Sequence, residues 1–84
     1  MDKQTIFNAI VLHARQVVPP LAGRDIGFSD SLRALGANSV DRSEIIMMTL
    51  ESLSLDVPLI DMACAENIGE LVDILHEKSQ VSGV

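Results

Sequence analysis

A chain of 84 residues holds one small domain and no separate substrate domain; at this size roughly 60% of the unfolded surface is buried, which leaves little room for a deep, enclosed catalytic cavity. It is 48% hydrophobic but only 2% aromatic, without Trp or Tyr, so its core must come from Leu, Ile, Val, Met and Ala, which suit packed helices better than a sheet. A net charge of −6 with six Lys and Arg argues against nucleic acid and anionic membrane surfaces, and favours basic protein partners.

From Lys3 to Val18 apolar residues recur at Ile6, Phe7, Ile10, Val11, Ala14, Val17 and Val18, the spacing of an amphipathic helix that Asp2 or Thr5 could cap. Pro19-Pro20 stops it. A turn-rich connection follows to about Asn38, with Gly23, Gly27 and Gly36, and its apolar residues Ile26, Phe28, Leu32 and Leu35 are spaced to pin it onto a core.

The second helix is predicted from Ser39 to about Ser52 or Leu53, with Asn38 as N-cap and Asp41 in its first turn. At 100° per residue, Ile45, Ile46, Thr49 and Leu53 form a core side. Val40, Glu44, Met47 and Glu51 lie opposite, with Ser43 beside them. That outer stripe reads either as ordinary surface residues or as a docking stripe of apolar contacts among carboxylates. Asp56-Val57-Pro58 breaks the chain, and Leu59 to Ala65 reads as a brief helical turn. The last helix is predicted from Ala65 or Glu66 to Glu77, with Ile68, Leu71, Val72 and Leu75 inward. SQVSGV reads as frayed, and the domain is drawn as residues 1–80 with 81–84 as a tail. The expected fold is all-α, a small three-to-four-helix bundle with a long first loop.

Chemistry is sparse. His13 and His76 fall on helix surfaces or ends without a matched partner, and one Cys with two distant His gives no metal cluster. Cys64, alone in an apolar stretch, reads as a small buried hydrophobe; a lone thiol fits a reducing cytoplasm. No stretch is long enough to span a bilayer, and the N-terminus lacks a signal-peptide core. Ser39 is the residue with two readings: a hydroxyl that helps to start a helix, or one presented for attachment. A nucleophilic Ser39 of a small hydrolase needs a base that the sequence does not place nearby.

The segment "DSLRALGANSVDRSEIIMMTLES" resembles the region around the phosphopantetheine-bearing serine of acyl carrier proteins. Leu32, Leu35, Gly36, Asn38, Ser39, Val40 and Glu44 match that family's approach and helix opening, and the order of elements agrees over nearly the whole chain. The resemblance implies that a phosphopantetheinyl transferase attaches 4'-phosphopantetheine covalently to Ser39 from coenzyme A, and that the protein is a carrier rather than an enzyme. Asn38, Val40, Asp41, Arg42, Ser43, Glu44 and Met47 would then form the partner-binding face. Most carriers have Asp before the serine; Asn38 keeps the capping geometry and removes a charge.

"GANSVDR" with the following "EI" and "MMTLESL" is similar to the free-standing donor carriers of polyketide β-branching cassettes. That subgroup implies loading by an acyltransferase, decarboxylation of malonyl to acetyl by a ketosynthase-like decarboxylase, and donation of acetyl to an HMG-CoA synthase-like enzyme. Arg42, a helical turn after Ser39, is the candidate selectivity residue, and a cytoplasmic monomer is expected. The alternatives are a general fatty-acid or polyketide chain-extension carrier, an aminoacyl carrier, or an unmodified interaction module in which Ser39 only starts a helix.

Overall fold

Asp2 opens the first helix, α1 (Lys3–Val17), by accepting the Thr5 N–H at 2.7 Å. Hydrogen bonds from Thr5, its hydroxyl first and its backbone N–H second, hold the Asp2 carboxyl below its ordinary value of 3.8. Ile6, Ile10, Val11 and Ala14 form the buried stripe of α1, and Pro19-Pro20 turns the chain into a 3-10 helix, Pro19–Gly23. Arg15 closes this corner by donating to the carbonyls of Leu21 and Arg24.

The structure is a computed structural model that describes residues 1–81. Its order is α1, the 3-10 helix, α2 (Ser39–Ser52), a second 3-10 helix (Leu59–Met62) and α3 (Ile68–Val81), with no strand among the described residues. The expected all-α bundle with a long first loop is the observed fold. The loop is pinned by two of the four residues its spacing predicted, Leu32 and Leu35, joined by Leu21, which are buried with Ile45 and Leu50 of α2 and Ile68, Leu71, Val72 and Leu75 of α3, while Ile26 is only partly buried. Each such Leu or Ile taken out of water stabilises the fold by about 1.5–3 kcal/mol before ordering costs. Phe28 remains half-exposed but stacks on Phe7, ring centroids 4.2 Å apart.

The three helices are not equivalent neighbours. α1 packs on both α2 and α3, whereas no Cα of α2 comes within 8 Å of a Cα of α3. Instead the second 3-10 helix touches both, with Met62 buried between them. This leaves an open groove between α2 and α3.

Four sequence expectations need correction. The last helix starts at Ile68 instead of Ala65 or Glu66, because Asn67 Oδ1 accepts the Glu70 N–H at 2.8 Å and so caps it. The next orphan amides find the long loop: Ile68 N–H donates to Asp30 O at 2.9 Å and Gly69 N–H to Phe28 O at 2.7 Å. At its other end α3 runs through Val81, so Ser79 and Gln80 are helical rather than frayed, and residues 82–84 of the expected tail lie outside the described residues. Cys64 is exposed on the turn that follows the second 3-10 helix, and Met62, at the end of that helix, is the residue of this stretch that is buried. His13 is buried: it shares the inner stripe of α1, three residues after Ile10, where its ring meets Gln16 Oε1 at 2.9 Å and Ser52 Oγ of α2 at 3.0 Å.

Candidate functional site

The stretch LRALGANS places Ser39 through two back-to-back devices. Residues 32–36 form one helical turn that Gly36 ends with φ +103, a left-handed conformation that glycine adopts freely. Ala37 N–H then donates to Leu32 O at 3.0 Å and Gly36 N–H to Arg33 O at 3.1 Å, the paired bonds of a Schellman ending. Ala37 is buried against the core with Leu32, which anchors the chain one residue before the next helix begins.

Asn38 starts that helix. Its Oδ1 accepts the Asp41 N–H at 2.8 Å, while Asp41 Oδ2 accepts the Asn38 N–H at 3.2 Å, a reciprocal capping box. Capping is therefore carried out by Asn38 and Asp41. Ser39, the first helical residue, is exposed, and its hydroxyl has no hydrogen-bond partner among the described residues.

Ser39 also lines the groove between α2 and α3, an open space of about 630 Å³. Arg42, Ser43 and Ile46 of α2, Leu59 and Met62 of the second 3-10 helix, and Ile68 and Leu71 of α3 line it further. Its size falls among those of small-molecule sites. No cluster of three or more His, Cys, Asp or Glu that could hold a metal occurs among the described residues.

The residues expected on one partner face go three ways. Asn38 and Asp41 are engaged in the cap. Arg42 and Ser43 turn to the groove, and Arg42 Nη1 also donates to Ala37 O at 2.9 Å. Val40, Glu44 and Met47 point outward, with Val40 71% and Met47 57% exposed. Sequence reasoning missed Ile60, which is 79% exposed, and Arg33, Leu59 and Met62 in the groove. Helical periodicity carried no signal for these, because they sit on a short turn and a 3-10 helix.

The site is thus an exposed, unbonded serine hydroxyl at the start of a capped helix, beside an open groove. The comparisons identify the family. Residues 15–75 match the family described as "Phosphopantetheine attachment site". The chain is 48% identical over 80 residues to the polyketide biosynthesis acyl-carrier-protein AcpK of Bacillus subtilis (strain 168), covering 95% of this chain and 98% of that one. It is 32% identical over 75 residues to the hispidin synthase of Neonothopanus nambi, where the match covers 89% of this chain and 4% of that protein. Among solved structures it superposes, with a TM-score of 0.85 and 44% identity, on a chain of the curacin biosynthetic pathway HMG synthase in complex with its acetyl donor ACP. That match covers 89% of this chain and 96% of the other, which is therefore of carrier size. The chain belongs to the acyl carrier protein family, whose cofactor is 4'-phosphopantetheine.

The residues present fit that cofactor. The Ser39 hydroxyl is exposed and unbonded, and the groove opens beside it. When bound, the group supplies a terminal thiol on a long arm, on which an acyl group is held as a thioester. At the start of α2 the chain exposes the Ser39 hydroxyl, turns the positive end of the helix dipole outward, where it favours anions, and fixes the helix start through the Asn38–Asp41 box.

Proposed function

We propose that Ser39 carries the 4'-phosphopantetheine and that the protein is an acetyl donor in polyketide β-branching, serving an HMG-CoA synthase-like enzyme. The observation that carries the attachment assignment is the division of labour at the start of α2: Asn38 caps, and Ser39 is left unbonded beside the groove. Attachment joins Ser39 Oγ to the phosphorus of coenzyme A that bears the pantetheine, breaks the diphosphate bond and releases adenosine 3',5'-bisphosphate. The serine proton leaves to a base of the transferase. The donor role is supported by 44% identity and shared fold with a carrier-sized chain in the HMG synthase complex, and the polyketide setting by the similarity to AcpK over 95% of this chain and 98% of that one.

The outer stripe of α2 suits partner docking. Val40 and Met47 present apolar surface around Glu44, and an acidic rim draws in the basic surfaces of a transferase, an acyltransferase, a ketosynthase-like decarboxylase or the synthase. None of the helices among the described residues is long and apolar enough to cross a membrane, and a cytoplasmic location accords with the exposed free thiol of Cys64.

Intact mass tests the attachment assignment. Incubation with coenzyme A and a broad-specificity phosphopantetheinyl transferase adds one phosphopantetheine to wild type and none to Ser39→Ala. Equal mass gain in both proteins moves the attachment to another residue; no gain in either, beside an active control carrier, removes the carrier assignment for that transferase. Acetyl transfer from the loaded protein to an HMG-CoA synthase-like enzyme then separates a donor from a chain-extension carrier.

A further inference from the structure

Cations are scarce in this chain, six in all, and the fold engages three of them in ion pairs or a loop corner. Lys3 pairs with Asp73 at 2.9 Å and Lys78 with Asp61 at 3.5 Å. Arg15 is committed to the carbonyls of Leu21 and Arg24. Arg33 and Arg42 differ: both line the groove together with Ser39, and neither has a carboxylate within ion-pair distance among the described residues.

Arg42 is held in place. It is half-buried, and the bond from Nη1 to Ala37 O fixes its guanidinium, while its other N–H groups have no protein acceptor among the described residues. Satisfying one carbonyl does not require a charge with five donors. A cation in the first turn of a helix also works against the helix dipole, so the fold alone gives no reason to place one there. Ser39 and Arg42 are three residues apart on α2, and side chains at that spacing are neighbours, with Cβ atoms about 5–6 Å apart. Arg33 reaches the same groove from the turn that Gly36 ends.

We propose that Arg33 and Arg42 form an anion site for the phosphodiester on Ser39 and hold the first segment of the arm at the groove. The proposal rests on Ser39 being the attachment residue. Guanidinium groups bind phosphate oxygens through paired, charge-assisted N–H···O bonds, which a point charge on a flexible stem does not reproduce. The site also has an electrostatic consequence. On a chain of net charge −6 a further negative charge is unfavourable unless cations meet it. The start of α2 offers only a partial positive charge, so the stabilisation gained on loading comes chiefly from the two arginines taking up the phosphate.

The test compares unloaded and loaded protein, each as wild type, Arg33→Gln and the Arg33→Gln/Arg42→Gln double variant, with loading verified by mass. In low salt the wild-type melting midpoint rises on loading by about 4 °C, the scale on which a domain of this size registers one good contact. The rise shrinks in high salt, is smaller in Arg33→Gln, and disappears or reverses in the double variant. Each variant is compared with its own unloaded form, so the cost of losing the Arg42–Ala37 bond cancels. Equal loading shifts in wild type and the double variant, or no rise in wild type, overturn the proposal. If wild type gains no mass, the attachment assignment fails, and the anion site is then read directly by titrating free phosphopantetheine into unloaded protein. Saturable shifts of the Arg33 and Arg42 Nε resonances in wild type, with a shift of the Ser39 backbone amide that is lost in the double variant, support the site; their absence from wild type, or an equal Ser39 shift in the double variant, overturns it.

Discussion

Asn38→Ala and Ser39→Ala change adjacent exposed residues, and the structure assigns them opposite effects. Asn38→Ala removes the acceptor of the Asp41 N–H, a 2.8 Å bond, and leaves that amide to water. The return bond from Asn38 N–H to Asp41 Oδ2 at 3.2 Å uses the backbone of residue 38 and is kept. One arm of the box is therefore lost, and the cost is that of an N-cap removal, about 1 kcal/mol within a range of roughly 0.5–2. For a domain of this length that lowers the melting midpoint by about 4–8 °C. Ser39→Ala removes a hydroxyl with no protein partner among the described residues and puts a better helix former at the first helical position, so stability stays within about 0.5 kcal/mol of wild type. The assay is urea unfolding followed by far-UV circular dichroism, with unchanged m-values showing that the denatured state is the same. In phosphopantetheine loading the order inverts: Ser39→Ala loses it, and Asn38→Ala retains a hydroxyl to load. A Ser39→Ala variant as destabilised as Asn38→Ala would refute the reasoning, because Ser39 would then share in the cap.

Further expectations follow from single features. Ser54 ends α2 with φ 55, accompanied by Leu55 N–H to Leu50 O at 2.9 Å and Ser54 N–H to Glu51 O at 3.2 Å. Ser54→Gly relieves a left-handed cost of roughly 1–2 kcal/mol and loses part of it to a freer unfolded chain, for a net gain of about 0.5 kcal/mol in urea unfolding. Gly69→Ala puts a Cβ 3.0 Å from the Phe28 carbonyl oxygen, which already accepts the residue's N–H. Crowding against backbone outweighs the helix propensity of Ala, so the variant loses roughly 1 kcal/mol and its amides at 68 and 69 exchange faster. Because its folded value is depressed, the Asp2 carboxylate contributes stability above about pH 4 that is lost as pH falls through the lowered value. The stability difference between wild type and Asp2→Asn in urea is then flat near neutral pH and falls in wild type's disfavour under acid; a flat difference throughout contradicts the Thr5 contacts. Charge reversal at Glu44 slows association with a transferase or synthase more than reversal at Glu77, both residues being exposed, and equal effects in stopped-flow binding remove the case for docking on α2.

Where a structural signal was local in sequence, the chain was legible. The stripe of α1, the Asn38 cap and the start of α2 at Ser39 all follow from residues within one or two turns of each other. The pinned loop was readable too, from Leu32 and Leu35 as widely spaced apolar residues in a turn-rich segment. What escaped was set by contacts across the fold. The start of α3 depends on the carbonyls of Phe28 and Asp30, some 40 residues earlier by position in the chain. Leu50 fell off the predicted core side of α2, yet it is buried, because packing on α1 buries a wider arc of α2 than one stripe. His13 reads from the sequence as solvated or partly packed, and its partner Ser52 of α2 comes from across the fold. The groove depends on α2 and α3 being held apart by a 3-10 helix, and no periodicity encodes that separation.

The position of Ser39 has a further physical logic. A serine that caps a helix spends its oxygen on a backbone amide, and modifying that oxygen removes the cap and loosens the helix it opens. Here the oxygen is one residue further on, where the helix does not need it, and the cap is doubled by the Asn38–Asp41 exchange. Immediately upstream, the Gly36 turn and buried Ala37 tie the same backbone to the core. On the proposed assignment, a bulky group is therefore added at Ser39 without loss of the helix start. The same arrangement explains why Asn serves at position 38 where many carriers have Asp: the cap needs an acceptor oxygen, which both provide. The negative charge near the amides at the start of α2 already comes from Asp41. Asn38→Asp accordingly leaves the stability of the unloaded protein within about 0.5 kcal/mol of wild type, while any change in loading rate reports recognition by the transferase. A large loss of stability in that variant would show that the charge at 38, and not the hydrogen bond, governs the helix start.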